Sequence, residues 1–438
     1  MRRLLILVLS LCLCIGLLGC TSVVPNGLES ENPQSETEVV SQETSSNIEQ
    51  EDGEESESEE ISSEEVSSEE ISSAETSSAE ESPAPQPATA ASVLASMTLE
   101  QKVYQMFFVR PEGLVGMNHL DAQIVSVDEQ LAAAVKSYPV GGIALFGGNI
   151  RLPGQTEKLI SDLQQSSDIP LFIGVDEEGG SVARVGNNRD MGTTAFPPMM
   201  SVTENGGHDL AYEIGYTIGT ELLPFGFNLD FAPVADVATN PNNSVIGDRS
   251  FSSDAKTVGN MIVHMVRGFS DAGMMTVLKH FPGHGDTAED SHTELAVTYK
   301  TYDDMAGCEW IPFYVGIHSG ADMVMVGHIM TPNLDDSGLP ATFSSYLLQN
   351  VLRDDLGFEG VIITDSLEMG AITENYSSDR AAVLAIQAGV DIILMPQDLT
   401  LAVQGVVDAV ESGELTEARL DESVLRILEL KEKYGLLP

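Results

Sequence analysis

Short apolar runs recur along the chain from about residue 92 to its end. Most of them are continuously apolar, which is typical of parallel strands that are covered on both faces. They predict eight strands, at 105–109, 141–146, 170–175, 228–233, 275–280, 322–327, 360–364 and 391–395.

Amphipathic stretches fill the gaps between these runs and predict helices, for example at 156–165, 209–222, 254–269, 303–318, 380–387, 401–410 and 417–434. Eight strands alternating with helices in one domain of this length indicate an α/β fold, a single-domain (β/α)8 TIM barrel. A doubly wound open sheet is the alternative architecture. Residues 92–438 are predicted to form this one domain.

A different composition precedes the domain. Residues 21–91 contain 20 Asp and Glu and no Lys or Arg, and five-residue units of the type ISSEE repeat from Ile61 to Glu80. Such a segment buries too little apolar surface to offset the entropy of ordering it, and its like charges repel one another. We expect a disordered acidic tether; a tail that binds cations or a partner is the alternative.

The first 20 residues read as a targeting segment. Arg2 and Arg3 precede an apolar run that is too short to span a bilayer comfortably. The run ends in LLGC, which resembles the lipobox of bacterial lipoproteins. That resemblance implies a signal peptide at 1–20 and lipidation at Cys20, so we expect a protein held on the extracytoplasmic face of the cell membrane. An ordinary secretory signal or an uncleaved anchor is the alternative.

Charge and cysteine content exclude some classes of protein. The chain carries 20 basic and 68 acidic residues, and subtracting the 20 acids of the tether and the two N-terminal arginines leaves 48 acidic against 18 basic residues. Without a basic patch, nucleic-acid binding is not expected. Only Cys308 follows the proposed lipidation site, so the domain has no disulfide framework. We expect a monomer.

Polar residues stand just past several of the apolar runs: Asp176, Asp236, His280, His328 and Asp365. In a barrel of parallel strands these positions converge on one rim, where active sites are built. Burying so many charges along a core would be too costly, so the pattern indicates a polar barrel mouth.

The densest polar cluster is KHFPGHGDT at 279–287, followed by DSH at 290–292. Its glycines and proline predict an irregular loop after a strand. Histidine titrates near neutrality and is a natural general acid or base. Asp290 and His292 stand two residues apart, and in an extended loop such residues face the same side. We therefore expect the carboxylate to orient the imidazole and stabilise its charged form.

A second cluster, GVIITDSLEM at 360–369, delivers Asp365 at the end of a strand. A carboxylate there can attack an anomeric carbon and form a glycosyl-enzyme intermediate.

These two motifs together resemble glycoside hydrolase family 3, and within it the bacterial β-N-acetylglucosaminidases. Further matches are DEEGG at 176–180, NLDFAPVAD at 228–236 and GDRSF at 247–251, so that the resemblance covers essentially the whole domain. It implies that Asp365 is the nucleophile and that the Asp290–His292 pair supplies the acid/base. The residues that would hold the −1 sugar or line its pocket are Asp176, Arg249, Lys279, His280 and His328.

One departure from the family concerns the contacts near Asp176. Many relatives carry Arg after the double glycine, whereas this chain has Ser181, with Arg184 three residues further on.

Many β-glucosidases of the family also add a second domain that supplies a Glu acid/base. The eighth predicted strand is followed here by two predicted helices, so we expect the loop with Asp290 and His292 to supply the acid/base.

The resemblance implies a retaining exo-β-N-acetylglucosaminidase that acts on terminal β-linked GlcNAc, with peptidoglycan fragments as the expected substrate and no cofactor. A phosphorylase or a β-glucosidase on the same scaffold is the enzymatic alternative, and a sugar-binding lipoprotein is the non-catalytic one. Taken alone, the histidine-rich loop also permits a zinc or manganese site built from His280, His284, Asp286, Asp290 and His292.

Overall fold

A computed structural model describes residues 89–117, 123–288 and 295–437. The proposed signal peptide with Cys20 and nearly all of the tether lie outside the described residues, as do Asp290 and His292 of the predicted acid/base pair. The first helix starts at Ala90, after the N-cap Thr89, close to the predicted start of the domain at residue 92.

Twelve strands occur in the described part of the chain: β1 Phe107–Val109, β2 Gly142–Ala144, β3 Phe172–Val175, β4 Glu177–Gly179, β5 Val182–Ala183, β6 Leu229–Asp230, β7 Met275–Phe281, β8 Ala296–Val297, β9 Met323–Val326, β10 Ile329–Met330, β11 Val361–Thr364 and β12 Ile393–Leu394. Each of the eight predicted strands is present, in most cases shorter than its apolar run. The apolar runs extend past the hydrogen-bonded segments because their flanking residues are buried as well.

These eight strands form one parallel sheet in the order β11–β9–β7–β6–β3–β2–β1–β12. A parallel bridge between Ile363 and Ile392 joins the two ends of the sheet, so that the strands enclose a barrel. This confirms the (β/α)8 barrel and excludes the doubly wound open sheet. Two small pairs stand apart from it, the antiparallel β4–β5 hairpin and the parallel β8–β10 pair.

Helices surround the sheet: α1 Ala90–Ser96, α2 Leu99–Gln105, α3 Pro111–Leu114, α4 Glu129–Ser137, α5 Pro153–Ser166, α6 Met199–Asn205, α7 Gly207–Leu222, α8 Ala255–Ala272, α9 Tyr302–Gly307, α10 Trp310–Ile317, a π-helix at Tyr346–Asp355, α11 Gly370–Thr373, α12 Ser378–Ala388, α13 Leu399–Ser412 and α14 Glu417–Lys433. In the described ranges, none of them combines the length and apolarity needed to span a bilayer.

The sequence marks many helix ends. The Asp254 side chain accepts a hydrogen bond from the Thr257 N–H at the start of α8, and Gly273 ends that helix with a left-handed φ of 86°. Asp398 and Thr416 cap α13 and α14 in the same way. Such caps satisfy backbone N–H groups that have no partner within the helix, and the three helices start within two residues of their predicted positions.

The prediction of one continuous helix at 303–318 is wrong, because the structure divides this stretch into α9 and α10. Pro312 lies in the first turn of α10, where its missing N–H is tolerated. In a continuous helix its ring would clash with the carbonyl of Cys308, four residues earlier. Cys308 leaves helical geometry with φ −141° and ψ −83°. It is half-buried against the core, and burial raises the pKa of its thiol to about 11.

Helix α14 buries a lysine at its C-terminal end. Lys431 is fully inaccessible, its Nζ donates to Gln105 Oε1 at 2.7 Å, and it lies 5.0 Å from the centre of the Phe172 ring. No carboxylate pairs with it among the described residues. Burial therefore lowers the pKa of this amine from 10.5 to about 7.

We expect the Lys431→Met variant to be more stable than the wild type at pH 7, with the difference shrinking as the pH rises to 10. The unfolded chain keeps Lys431 protonated up to about pH 10.5, whereas the folded chain releases that proton near pH 7. The unfolding free energy of the wild type thus rises with pH in this window, by up to about 4 kcal/mol from this group. Urea unfolding of both proteins at pH 7 and 10 measures the effect, and an equal gap at both pH values would contradict it.

Candidate active site at the barrel mouth

The carboxyl ends of the parallel strands bring the predicted polar residues to one rim. Asp176 follows β3, Lys279 and His280 lie near the end of β7, and Asp365 follows β11. Lys279 Nζ contacts Asp176 Oδ1 at 2.8 Å, although 103 residues separate the two. The charges of Lys279 and His280 both act on the Asp365 carboxylate. Residues from three separate strands therefore share one site.

An ionic cluster lies next to Asp176. The Glu178 carboxylate accepts two hydrogen bonds of 2.8 Å from Arg249, one from Nε and one from Nη2. The same carboxylate pairs with Lys279 Nζ at 2.5 Å and is only 2% exposed. Burial alone would raise the pKa of Glu178, but the charges of Lys279 and Arg249 hold it well below its usual value. Glu178 is thus the anion that joins the two predicted sugar-binding cations.

The β4–β5 hairpin orients the acidic residues of the DEEGG motif. Alternation along β4 sends Asp176 and Glu178 to one side and Glu177 to the other. The Glu177 carboxylate accepts hydrogen bonds from the N–H groups of Val185 and Gly186, at 2.7 and 2.9 Å, and so closes the hairpin. Gly180 has a φ of 59°, and a Cβ there would lie 2.9 Å from Pro198 Cα. The motif needs its glycine to turn tightly at this point.

Asp236 holds two histidines from beneath the mouth. Its Oδ2 lies 2.7 Å from His280 Nδ1, and its Oδ1 accepts from the His284 N–H at 2.6 Å. Burial would raise the pKa of Asp236, but the neighbouring His280 and His284 lower it below its usual value. The fully buried carboxylate fixes the His280 ring through Nδ1, and among the described residues Nε2 has no hydrogen-bond partner.

His284 braces the loop after β7. The residue is 1% exposed, its Nδ1 lies 2.7 Å from Thr287 Oγ1, and its carbonyl accepts from Asn243 Nδ2 at 2.8 Å. Asp286 accepts from Thr298 Oγ1 at 2.9 Å and pairs with Lys300 at 3.4 Å. These contacts fix the chain on the approach to residues 289–294, which lie outside the described residues.

Asp365 is held as an ionised carboxylate. Its Oδ1 accepts from the Ser366 N–H at 2.7 Å, and its own N–H donates to the Val326 carbonyl at 2.9 Å. Burial would raise the pKa of Asp365, but His280, His328, the Ser366 N–H and Lys279 together lower it below 3.8. A carboxylate with a lowered pKa is ionised at neutral pH, as the predicted nucleophilic role requires.

His328 lies behind the rim. The side chain is fully buried, with Nε2 2.9 Å from the Ser366 carbonyl and Nδ1 2.7 Å from Thr342 Oγ1. Both ring nitrogens contact the protein, so His328 supports the Asp365–Ser366 segment. The role of His328 in lining the sugar pocket stays a prediction. The contact with Thr342 has no sequence signal, since the two residues belong to different turns after β9.

Two residues at the mouth were not singled out as site residues. Glu178 sits beside Asp176 in a run of three acids, and the sequence gives no sign of which acid binds the cations. Arg184 Nη2 lies 3.7 Å from Asp176 Oδ2, so a guanidinium reaches Asp176 even though the chain carries Ser181 after the double glycine. The hairpin explains this placement, because Arg184 follows β5 directly.

A groove of about 920 Å³ opens beside this mouth, along the β1 and β12 side of the barrel. Arg110 and Glu368 line it, and their side chains pair at 3.5 Å. Arg110 also stacks on the Phe146 ring, 3.7 Å from its centre. Glu368 comes three residues after Asp365, so the groove lies close to the predicted nucleophile along the chain.

Comparisons with known proteins agree with this geometry. The model of the glycosyl hydrolase family 3 N-terminal domain matches residues 98–430. The β-hexosaminidase of Hydrogenovibrio crunogenus is 38% identical over 289 residues, which cover 64% of this chain and 79% of that protein. The β-hexosaminidase A of Pseudoalteromonas piscicida is 36% identical over 377 residues, which cover 79% of this chain.

A solved structure is similar in fold and sequence. It is a glycoside hydrolase family 3 β-N-acetylglucosaminidase from Paenibacillus sp. str. FPU-7, with a TM-score of 0.72, 38% identity and coverage of 78% of this chain. The chain spans 63% of that protein and 62% of the Pseudoalteromonas protein.

Proposed function

The chain belongs to family 3 of the glycosyl hydrolases, and from that premise we propose that it is a retaining exo-β-N-acetylglucosaminidase. It removes terminal β-linked GlcNAc, and its substrates are peptidoglycan fragments in which GlcNAc is linked to MurNAc. The observation that carries the proposal is Asp365, an ionised carboxylate at a strand end, next to the Lys279–Glu178–Arg249 cluster.

The reaction proceeds by double displacement. Asp365 attacks the anomeric carbon while His292 donates a proton to the departing oxygen, which gives a glycosyl-enzyme and a free aglycone. His292 then removes a proton from water, the water oxygen bonds to the anomeric carbon, and the Asp365 ester breaks. Asp290 orients the imidazole and stabilises its charged form. Two inversions at the same carbon retain the β configuration.

The charge balance of the mouth suits a neutral sugar. Lys279 and Arg249 are already paired with Glu178, and Asp176 pairs with both Lys279 and Arg184. The cations are thus neutralised by the protein and remain hydrogen-bond donors for hydroxyl groups. We assign Asp176, Lys279, Arg249 and His280 to the hydroxyl and N-acetyl groups of the −1 sugar. The adjoining groove would take the leaving group.

The proposed substrate also fits the proposed location. The lipobox-like LLGC and the acidic tether would hold the enzyme outside the membrane within reach of the wall. Net negative charge keeps the domain soluble and repels polyanions such as nucleic acids. No cofactor is required, because both proposed steps use side chains alone.

The test is an assay of residues 86–438, which keep the Thr89 cap of α1 and the contact of Ala90 N–H with Glu432 at 2.8 Å. We expect turnover of p-nitrophenyl N-acetyl-β-D-glucosaminide and release of GlcNAc from muropeptides, with phosphate having no effect. Strong acceleration by phosphate would identify a phosphorylase, and turnover of only the β-glucoside would change the sugar. A folded protein that binds GlcNAc without turning over either substrate would be a sugar-binding lipoprotein.

A further inference from the structure

On the outer face of the barrel, two neighbouring helices bring His208, Asp209 and His264 together. His208 and Asp209 lie in the first turn of α7, and His264 lies in the middle of α8. His208 Nδ1 is 2.9 Å from Asp209 Oδ1, and the two imidazole rings stack with their centres 4.5 Å apart. In sequence the two histidines are separated by 56 residues, and neither belongs to a motif.

Direct contacts between the two backbones hold the helices at a fixed separation. A Cβ on Gly215 would lie 2.5 Å from the Met265 carbonyl oxygen, and a Cβ on Gly268 would lie 2.2 Å from the Tyr212 carbonyl oxygen. Side chains larger than hydrogen at these two positions would force α7 and α8 apart. The backbone positions of His208 and His264 are therefore fixed relative to each other by the main chain, as in a site built on rigid elements.

The three side chains form a set of metal ligands. One nitrogen or oxygen atom of each lies within 4.8 Å of the others, and in the described ranges no other group of three His, Cys, Asp or Glu meets that condition. His264 is only partly exposed between the two helices, and an imidazole nitrogen is a common zinc ligand. Asp209 is exposed and contributes a carboxylate.

We propose that His208, Asp209 and His264 bind a divalent zinc-type cation on the surface of the barrel. Two imidazoles and one carboxylate suit Zn²⁺ and its neighbours Ni²⁺ and Cu²⁺, whereas Mg²⁺ and Ca²⁺ prefer oxygen ligands alone. Zinc bonds of about 2.0 to 2.2 Å require the ligand atoms to approach one another more closely. The exposed His208 and Asp209 side chains can do so by rotating about their own bonds, and water completes the tetrahedron.

The ion would act as a clip between α7 and α8. The unfolded chain does not hold the three ligands together, so zinc binds the folded state preferentially and raises the unfolding midpoint. The site lies on helices outside the barrel and touches none of the mouth residues named above. This inference is therefore independent of the proposed glycosidase activity.

Titration of the full chain with zinc chloride in a calorimeter tests the site. We expect a one-to-one component that weakens at least about tenfold in His208→Ala, His264→Ala and Asp209→Asn, each of which removes one ligand. Zinc should raise the unfolding midpoint of the wild type by roughly 3 °C, and of these variants by much less. Magnesium should produce neither effect.

His318→Ala is the matched control. His318 is exposed on a different helix end, where its Nδ1 lies 2.8 Å from the Tyr314 carbonyl. This variant should keep the one-to-one zinc-binding component of the wild type. All variants should keep wild-type turnover of the GlcNAc substrate. Identical zinc isotherms for wild type and His264→Ala, or an equal loss in His318→Ala, would overturn the proposal. Zinc bound by the tether or the mouth would remain in every variant.

Discussion

Replacing Asp365 by alanine is expected to lower kcat/KM for p-nitrophenyl N-acetyl-β-D-glucosaminide by at least about 10⁴-fold, with the fold intact. The loss corresponds to about 5.5 kcal/mol of transition-state stabilisation. The reason is that Asp365 supplies the electron pair for the first displacement, and Lys279, His280 and His328 keep that carboxylate ionised. Stopped assays measure the change in kcat/KM, with the enzyme concentration determined by a method that does not depend on activity. The unfolding midpoint checks the fold.

Azide distinguishes the nucleophile from the acid/base. In Asp365→Ala, azide can occupy the vacated face and attack the anomeric carbon, releasing p-nitrophenolate and forming the α-glycosyl azide. In His292→Ala, Asp365 still forms the glycosyl-enzyme, and azide then attacks that intermediate to give the β-glycosyl azide. An α-glycosyl azide from Asp365→Ala and a β-glycosyl azide from His292→Ala would assign both roles at once.

Ser366→Ala is the control beside the nucleophile. The Ser366 backbone N–H, not its side chain, donates to Asp365, so this variant keeps the hydrogen bond. We expect its activity to stay within about threefold of the wild type. If Asp365→Ala retained a tenth of the wild-type activity, Asp365 would not be the nucleophile. If Ser366→Ala lost as much as Asp365→Ala, the loss could not be assigned to the Asp365 carboxylate.

The barrel could be predicted because each of its strands is buried on both faces. Continuous apolar runs such as the one ending at Thr364 are therefore visible without knowledge of their partners. The strand ends were visible for the same reason, since a polar residue such as Asp176 interrupts the apolar pattern. The break at Cys308 was missed because amphipathic periodicity continues through it, and only the position of Pro312 shows where the helix must stop.

The contacts within the site could not be predicted, because they depend on where side chains point after the chain turns. Nothing in the run DEEGG shows that Glu178 reaches Arg249, 71 residues away, while Glu177 closes the hairpin. In the same way His208 and His264 each look like an isolated surface histidine, and only the close packing of α7 against α8 joins them. Local patterns identify strands and motifs, whereas pairings across the fold require the structure.

The Glu178→Gln variant tests how strongly the ionic cluster supports both stability and catalysis. Removing this charge leaves Lys279 and Arg249 close together with too little compensating charge, which costs about 3 to 5 kcal/mol of unfolding free energy. Both cations would also shift, and misplacement of sugar-binding groups lowers kcat/KM by roughly 10²-fold. Urea unfolding and steady-state kinetics on the same preparation measure the two effects.

The pH dependence of the stability identifies the charge as the cause. Burial raises the pKa of Glu178, but Lys279 and Arg249 lower it from 4.5 to about 2 in the folded protein. The stabilisation that it contributes is therefore complete above pH 4.5 and is lost as the pH falls towards 2. The stability difference between wild type and Glu178→Gln should shrink over that range. A constant difference would show that packing, not charge, is responsible.

Asp391→Asn separates stability from catalysis, because it removes an equally buried carboxylate at the opposite end of the barrel. Asp391 precedes β12 and pairs with Arg353 at 2.7 Å and Arg426 at 3.0 Å, while Ser423 donates to it at 2.6 Å. Losing this charge should cost a comparable 3 to 5 kcal/mol, as estimated for any broken buried pair. The folded fraction should nevertheless keep wild-type kcat/KM, since residues at the amino ends of barrel strands serve stability and those at the carboxyl ends serve chemistry. If Asp391→Asn lost activity to the same degree as Glu178→Gln, general destabilisation would explain both variants and the cluster at the mouth would have no separate catalytic role.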